Sequence, residues 1–193
     1  MDKTDKTSCS MITKRKLADA LKELMNTTSF DKITVSDITE KCNIHRQTFY
    51  YHFQDRYDLL DWLIYDELLS PLMDGFNLDT MYEKFYDMFT AMSNDKSFYK
   101  NAIKINSDDL NRFISSIAIK QLIETMKNIK NSVGIDNTDN KSDESIAEFF
   151  GYGISGVTIA WVQKGMKETP MEMVKRIEHI VDVCKELVLR RDS

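Results

Sequence analysis

Glycine and proline are nearly missing from this chain, 6 and 2 in 193 residues, about a third of the ~12% the two usually contribute together. A sandwich or barrel built on tight turns needs more of both, whereas helices joined by short links do not. Cysteine is sparse too. Cys9, Cys42 and Cys184 are odd in number, widely spaced and without a Cys-x-x-Cys. That excludes a disulfide frame or zinc site and fits reduced thiols in a cytoplasmic protein. No apolar run approaches the ~20 residues that span a bilayer. The opening MDKTDKTSCSMITKRK lacks the apolar core of a signal peptide. Of three histidines, His45 and His52 would lie ~10.5 Å apart along a helix, too far for one ion, and His179 has no ligand neighbours. Cys42 and Cys184 fall at apolar positions, as small hydrophobes do. No metal, no cofactor and no catalytic constellation is expected, which disfavours a small helical enzyme or metal carrier.

An excess of positive charge is also lacking. Against 26 Lys+Arg stand 31 Asp+Glu, a net charge of −5. A whole-chain sum can hide a local basic face. Residues 1–56 hold 10 basic and 8 acidic residues, +2, and residues 57–193 hold 16 and 23, −7; the two add to −5.

Helical periodicity is what the chain does have. Residues 1–11 carry no pattern and read as a flexible arm. From Thr13, the residues Leu17, Ala20, Leu21 and Leu24 fall at i, i+3, i+4, i+7 with charges between them. Thr34 and Asp37 have capping-box spacing for a second, two-turn helix. Asn43 follows, a residue that tolerates a left-handed backbone. Residues 45–53 then form another two-turn helix, with Phe49 and Phe53 on one face. Asp55 caps a fourth helix that Pro71 ends or kinks. Further helices are expected over about 79–92, 96–106, 109–131, 143–166 and 170–191, with a loop at 132–142.

Two short helices joined by a tight turn make a helix-turn-helix, whose second helix can enter the DNA major groove. With Phe49 and Phe53 inward, Arg46, Gln47, Thr48, Tyr50, Tyr51 and His52 look outward. Arg suits guanine O6/N7, Gln adenine N6/N7 and Thr a thymine methyl, while Tyr, His and Arg56 suit phosphates. An ordinary helical hairpin would not display such a set. For His45, capping alone would be a sufficient role.

The run TVSDITEKCNIHRQTFYYHFQDRYDLL resembles the DNA-binding domain of TetR-type regulators over residues 12–60, above all in Phe49-Tyr50-Tyr51-His52-Phe53 with Arg56. By position, the resemblance implies phosphate contacts from Thr34 and Ser36. It implies base reading by Arg46, Gln47 and Thr48, with Tyr50, Tyr51, His52 and Arg56 clamping the backbone. His45 stands where the family has a small N-cap, and Asn43 replaces its turn glycine. SFYKNAIKIN and FFGYGISGVTIAWVQKGMKETPMEMVKRI resemble the C-terminal domain of TetR-like regulators related to the dihydroxyacetone kinase operon regulator. This implies an all-helical regulatory domain that dimerises.

The residues give separate grounds for a homodimer. Phe149, Phe150, Gly153, Gly156, Val157, Ala160 and Trp161 lie on one wide apolar stripe. Ile177, Ile180, Cys184 and Leu187 lie on another. Stripes this wide exceed what one neighbour covers, and a two-fold four-helix interface would bury them. A Met/aromatic group including Phe85, Phe89, Met92, Phe98, Tyr99 and Phe113 could line an effector cavity, with plain core packing as the alternative.

The expectation is an all-α protein: an arm at 1–11, a three-helix DNA-binding domain at 12–60 and a helical regulatory and dimerisation domain at 61–193. As a homodimer it would bind a pseudo-palindromic operator, usually as a repressor. Control would come from a small-molecule effector or, alternatively, a protein partner, in which case activation is also open. No membrane is involved.

Overall fold

The computed structural model describes residues 3–77, 79–105, 107–133 and 140–191, and the side chains of Phe113, Cys184 and Leu187 lie outside what it describes. Among the described residues the chain is helical and holds no strand. The order is α1 (Lys3–Met25), a 3-10 turn (Phe30–Lys32), α2 (Val35–Lys41), α3 (Arg46–His52), α4 (Arg56–Ile64) and a π-helical turn (Tyr65–Leu69). Then come α5 (Ser70–Met73), α6 (Met81–Asn94), α7 (Lys96–Ile105), α8 (Ser107–Val133), α9 (Asn140–Gln163) and α10 (Pro170–Arg191).

The chain divides into two compact units, Met1–Glu67 with Ser97–Ile105, and Leu68–Lys96 with Asn106–Ser193. This redraws the expected boundary, since α7 belongs to the first unit. The reason is chemical. The Asn101 amide donates to the carbonyls of Met25 and Thr28, both at 2.8 Å. The first is a carbonyl that the end of α1 leaves unpaired, and the second belongs to the turn that follows. Phe98 and Tyr99 are buried, and the Lys22 ammonium lies 5.6 Å from the Phe98 ring centre.

In the first unit, Leu17, Ala18 and Leu21 of α1 pack in a core with Ile38, Phe49, Phe53, Leu59 and Leu63. Helix α1 begins at Lys3, so residues 3–11 continue the helix instead of forming an arm. The Thr13 hydroxyl donates to the Cys9 carbonyl, bonding back onto the preceding turn. Arg15 pairs with Asp66 and Glu67, and Lys22 with Glu67 at 2.6 Å. These carboxylates sit on the π turn. Pro71 follows closely, and a widened turn relieves the clash of its ring with the carbonyl four residues back.

In the second unit α8 packs along α9 and α10 along α6. Gly151 allows the first contact, because a Cβ there would meet Ile119 Cγ1 at 2.5 Å. Helix α9 stops at Gly165 and Met166, both with positive φ. There the Trp161 indole donates to the Glu168 carbonyl at 2.9 Å.

Candidate nucleic-acid interface

The supports of the helix-turn-helix are local. Asp37 N–H donates to the Thr34 hydroxyl oxygen, and Thr34 N–H and O–H both donate to the Asp37 carboxylate at 2.7 Å. Thr34 thus completes a capping box with Asp in the acid's place. Hydrogen bonds from Thr34 hold the Asp37 carboxyl below the usual carboxylate range. The Thr34 hydroxyl is engaged in the cap in this structure. Asn43 takes φ +52°, and Ile44 N–H reaches back to the Thr39 carbonyl at 2.9 Å. That reversal sets the angle at which α3 leaves α2.

Helix α3 turns Phe49 and Phe53 into the core. His45, Arg46, Gln47, Tyr50 and Tyr51 are exposed, and Thr48 and His52 are half-buried. Tyr51 is 83% exposed, a large apolar area that gains nothing from facing water alone. The His45 ring makes no capping bond, so capping does not account for it. Ser36 shares a shallow depression with His45 and Arg46 at the α2–α3 junction. Arg46 donates to the Tyr50 hydroxyl at 3.1 Å and lies 5.5 Å from its ring centre. Of the expected contact residues, His45, Arg46, Gln47, Tyr50 and Tyr51 are thus accessible to solvent, and Ser36 is half-buried beside His45 and Arg46.

Two expected clamps, Arg56 and His52, also have neighbours within the fold. Arg56 Nη1 donates to the carbonyls of Phe30 and Ile33 at 2.6 and 2.5 Å. Its guanidinium also stacks 4.7 Å from the Phe30 ring centre and 5.4 Å from that of Tyr57. It ties the N-terminus of α4 to the turn before α2. His52 has its pKa lowered by burial first and the Lys14 charge second. Both causes disfavour the charged form of the ring in the DNA-free chain. Of the basic residues near the N-terminus, Lys14 lies against Phe53 and Trp62 and Arg15 against Trp62, so both serve the fold.

The expected dimer surface divides. Phe149 is 73% exposed, with Ile146, Tyr152 and Ile180 also exposed. A Cβ on Gly153 or Gly156 would meet nothing within 4 Å. Phe150, Val157 and Ala160 are half-buried on the flanks. Trp161 and Ile177 are instead 2% and 6% exposed. Trp161 packs edge-on to Phe89 at 5.2 Å, and both residues belong to the core of the unit. Cys184 and Leu187 fall outside the described side chains.

The expected effector group also divides. Phe85 and Met92 line a cavity of about 70 Å³ enclosed by the π turn, α5, α6, α8 and α9. Phe89 does not line it; it packs on Trp161. Phe98 and Tyr99 lie in the first unit, and the Phe113 side chain is outside the described set. The sequence reading missed Leu68, Leu69, Ile117 and Gln121 as wall residues. A lone glutamine among apolar positions was the available signal for the last.

Residues 17–63 match the family model of bacterial regulatory proteins, tetR family. Residues 79–183, more than half the chain, match that of a transcriptional regulator C-terminal region. The HTH-type dhaKLM operon transcriptional activator DhaS of Lactococcus lactis subsp. lactis (strain IL1403) is 28% identical over 99 residues, 51% of this chain and 53% of that protein. The match therefore spans about half the length of this curated relative. The solved structure of the dihydroxyacetone kinase operon activator DhaS has the same fold, with TM-score 0.66 at 21% identity over 90% of this chain and 94% of that one. A Rhodococcus sp. protein assigned to the TetR-family transcriptional regulators matches at TM-score 0.52 and 15% identity, over 88% and 98%.

Proposed function

Because the chain belongs to the TetR family of bacterial transcriptional regulators, we propose that it binds a pseudo-palindromic DNA operator as a homodimer, in the cytoplasm, with α3 in the major groove. The observation that carries this reading is the outward face of α3. Arg46, Gln47 and Tyr51 stand exposed on a helix whose other face is locked by Phe49 and Phe53. Arg46 and Gln47 have the donors to read guanine and adenine edges. Tyr51 and Ser36 reach backbone oxygens. Support for the dimer comes from the unpartnered apolar face of α9 around Phe149, Gly153 and Gly156, since a two-fold axis lets one such face cover itself.

Regulation follows from geometry. Two recognition helices must meet half-sites about one DNA turn (~34 Å) or a small multiple apart. An effector in the second unit that binds one spacing better than the other changes operator affinity by that difference. Occupying an operator over a promoter represses. A second reading, activation, is favoured by the similarity to DhaS, a transcriptional activator. Control by a protein partner is favoured by a cavity of only about 70 Å³, well under the ~300–1,000 Å³ of drug-sized sites.

The test is selection of genomic fragments by the purified protein, then footprinting and in vitro transcription from the fragment retained. Protection of two half-sites is the expected result. Failure to enrich any fragment over bulk DNA would sink the operator reading. The direction of change in transcript separates repression from activation.

A further inference from the structure

The cavity of the second unit has a chemical bias. Among the described residues no charged side chain lines it. Three polar side chains do: Gln121, Ser155 and Thr158. The Ser155 hydroxyl donates to the Tyr152 carbonyl at 3.2 Å, and that of Thr158 to the Ile154 carbonyl at 2.8 Å. Both have spent their protons on their own helix. The Gln121 amide makes no hydrogen bond among the described residues, so its N–H groups and its oxygen are both available. Gln121 and Met73 also border a shallow outer depression along Ser70, Pro71 and Asp74. The amide therefore stands where the cavity meets the surface.

We propose that this cavity binds an uncharged, mainly hydrocarbon molecule with one hydroxyl or carbonyl group, which hydrogen-bonds the Gln121 amide while the hydrocarbon body lies inward. The proposal rests on the reading of this unit as the effector domain. Inward of the rim that carries Asp74, a carboxylate or ammonium would lose its hydration and meet no counter-charge among the described lining residues. A neutral hydroxyl or carbonyl meets an amide able to serve either. Size is set by the walls. The resting volume of about 70 Å³ is under half of the ~150 Å³ that admits benzene, so the ligand displaces side chains as it enters. Met73, Met81, Met88 and Met92 line the space, and the unbranched, three-torsion thioether is the side chain best able to move aside.

The test is calorimetric titration of the full chain, without DNA, with 1-hexanol, hexanoate, hexylamine and cyclohexane. Hexanol is expected to bind at least about tenfold tighter than hexanoate or hexylammonium. Gln121→Leu should weaken hexanol about tenfold and leave cyclohexane unchanged. Gln121→Glu should reverse the order and favour hexylammonium, which no loss of folding can mimic. Equal binding of hexanoate and hexanol, absence of hexanol binding, or an unchanged order in Gln121→Glu overturns the proposal. The operator-release assay is read separately. Hexanol binding that leaves operator affinity unchanged upholds the ligand class and removes the effector role.

Discussion

One nitrogen of the Arg56 guanidinium donates to the carbonyl oxygens of Ile33 and Phe30, at 2.5 and 2.6 Å. The residue that looks most like a phosphate clamp is a strap within the fold. Arg56→Ala should cost about 1.5–3 kcal/mol of stability, the range for a charged hydrogen bond, read as a lower urea midpoint of the first unit. The slope of log K against log salt for operator binding should stay unchanged. A slope smaller by about one would show a phosphate contact instead.

Gln47 lies on the exposed face of α3 with no role in the core. Gln47→Ala should leave the thermal melt within about 0.5 kcal/mol of wild type. It should cost about 1–3 kcal/mol on the preferred operator and relax one base position. Selection from randomised duplexes with both proteins checks this, and an unchanged preference would remove Gln47 from the readers.

Phe149 and Trp161 make opposite predictions although both sit on the same apolar stripe of α9. Phe149→Arg places a charge on the exposed face and should yield a folded monomer by light scattering. Trp161→Ala empties a core position beside Phe89 and should cost about 3–5 kcal/mol of stability without itself separating protomers. A Phe149→Arg protein that remains dimeric at micromolar concentration would displace the α9 interface.

His52 titrates more weakly in the fold than in the open chain, because burial and then Lys14 disfavour its charged form. The unfolded state therefore takes the proton first. Stability is unaffected well above the ordinary value near 6.5 and declines as pH falls below it, until the folded value is passed. His52→Asn should flatten this decline in denaturant midpoints between about pH 7 and 5. Asp37 acts at a lower pH. Its lowered value means its contribution is intact above the ordinary carboxylate range and lost in stronger acid.

Much of the first unit was legible because its signals are local. The four-residue spacing of Phe49 and Phe53 fixed the inner face of α3, which settled by exclusion what α3 displays. Thr34 and Asp37 announced their cap three residues apart. The strap made by Arg56 was not legible because its partners lie 23 and 26 residues back, and a long cation beside a recognition helix looks the same in sequence whether it faces phosphate or carbonyl. Trp161 and Ile177 were misread for another reason. The width of an apolar stripe counts the area to be covered but not which neighbours in the same chain cover it. Phe98 and Tyr99 joined the wrong unit because one side-chain amide, Asn101, decides the matter across more than 70 residues of sequence.

That amide has a consequence for anyone exchanging DNA-reading heads between regulators. A head cut after Ile64 would lack α7, leaving the end of α1 uncapped and an apolar socket open to water. Such a graft should aggregate or melt early even though every base-contacting residue is present. The portable piece is discontinuous. It must carry Lys96–Ile105 along with the first helices, so a transplanted head needs two breaks in the chain where a contiguous domain would need one.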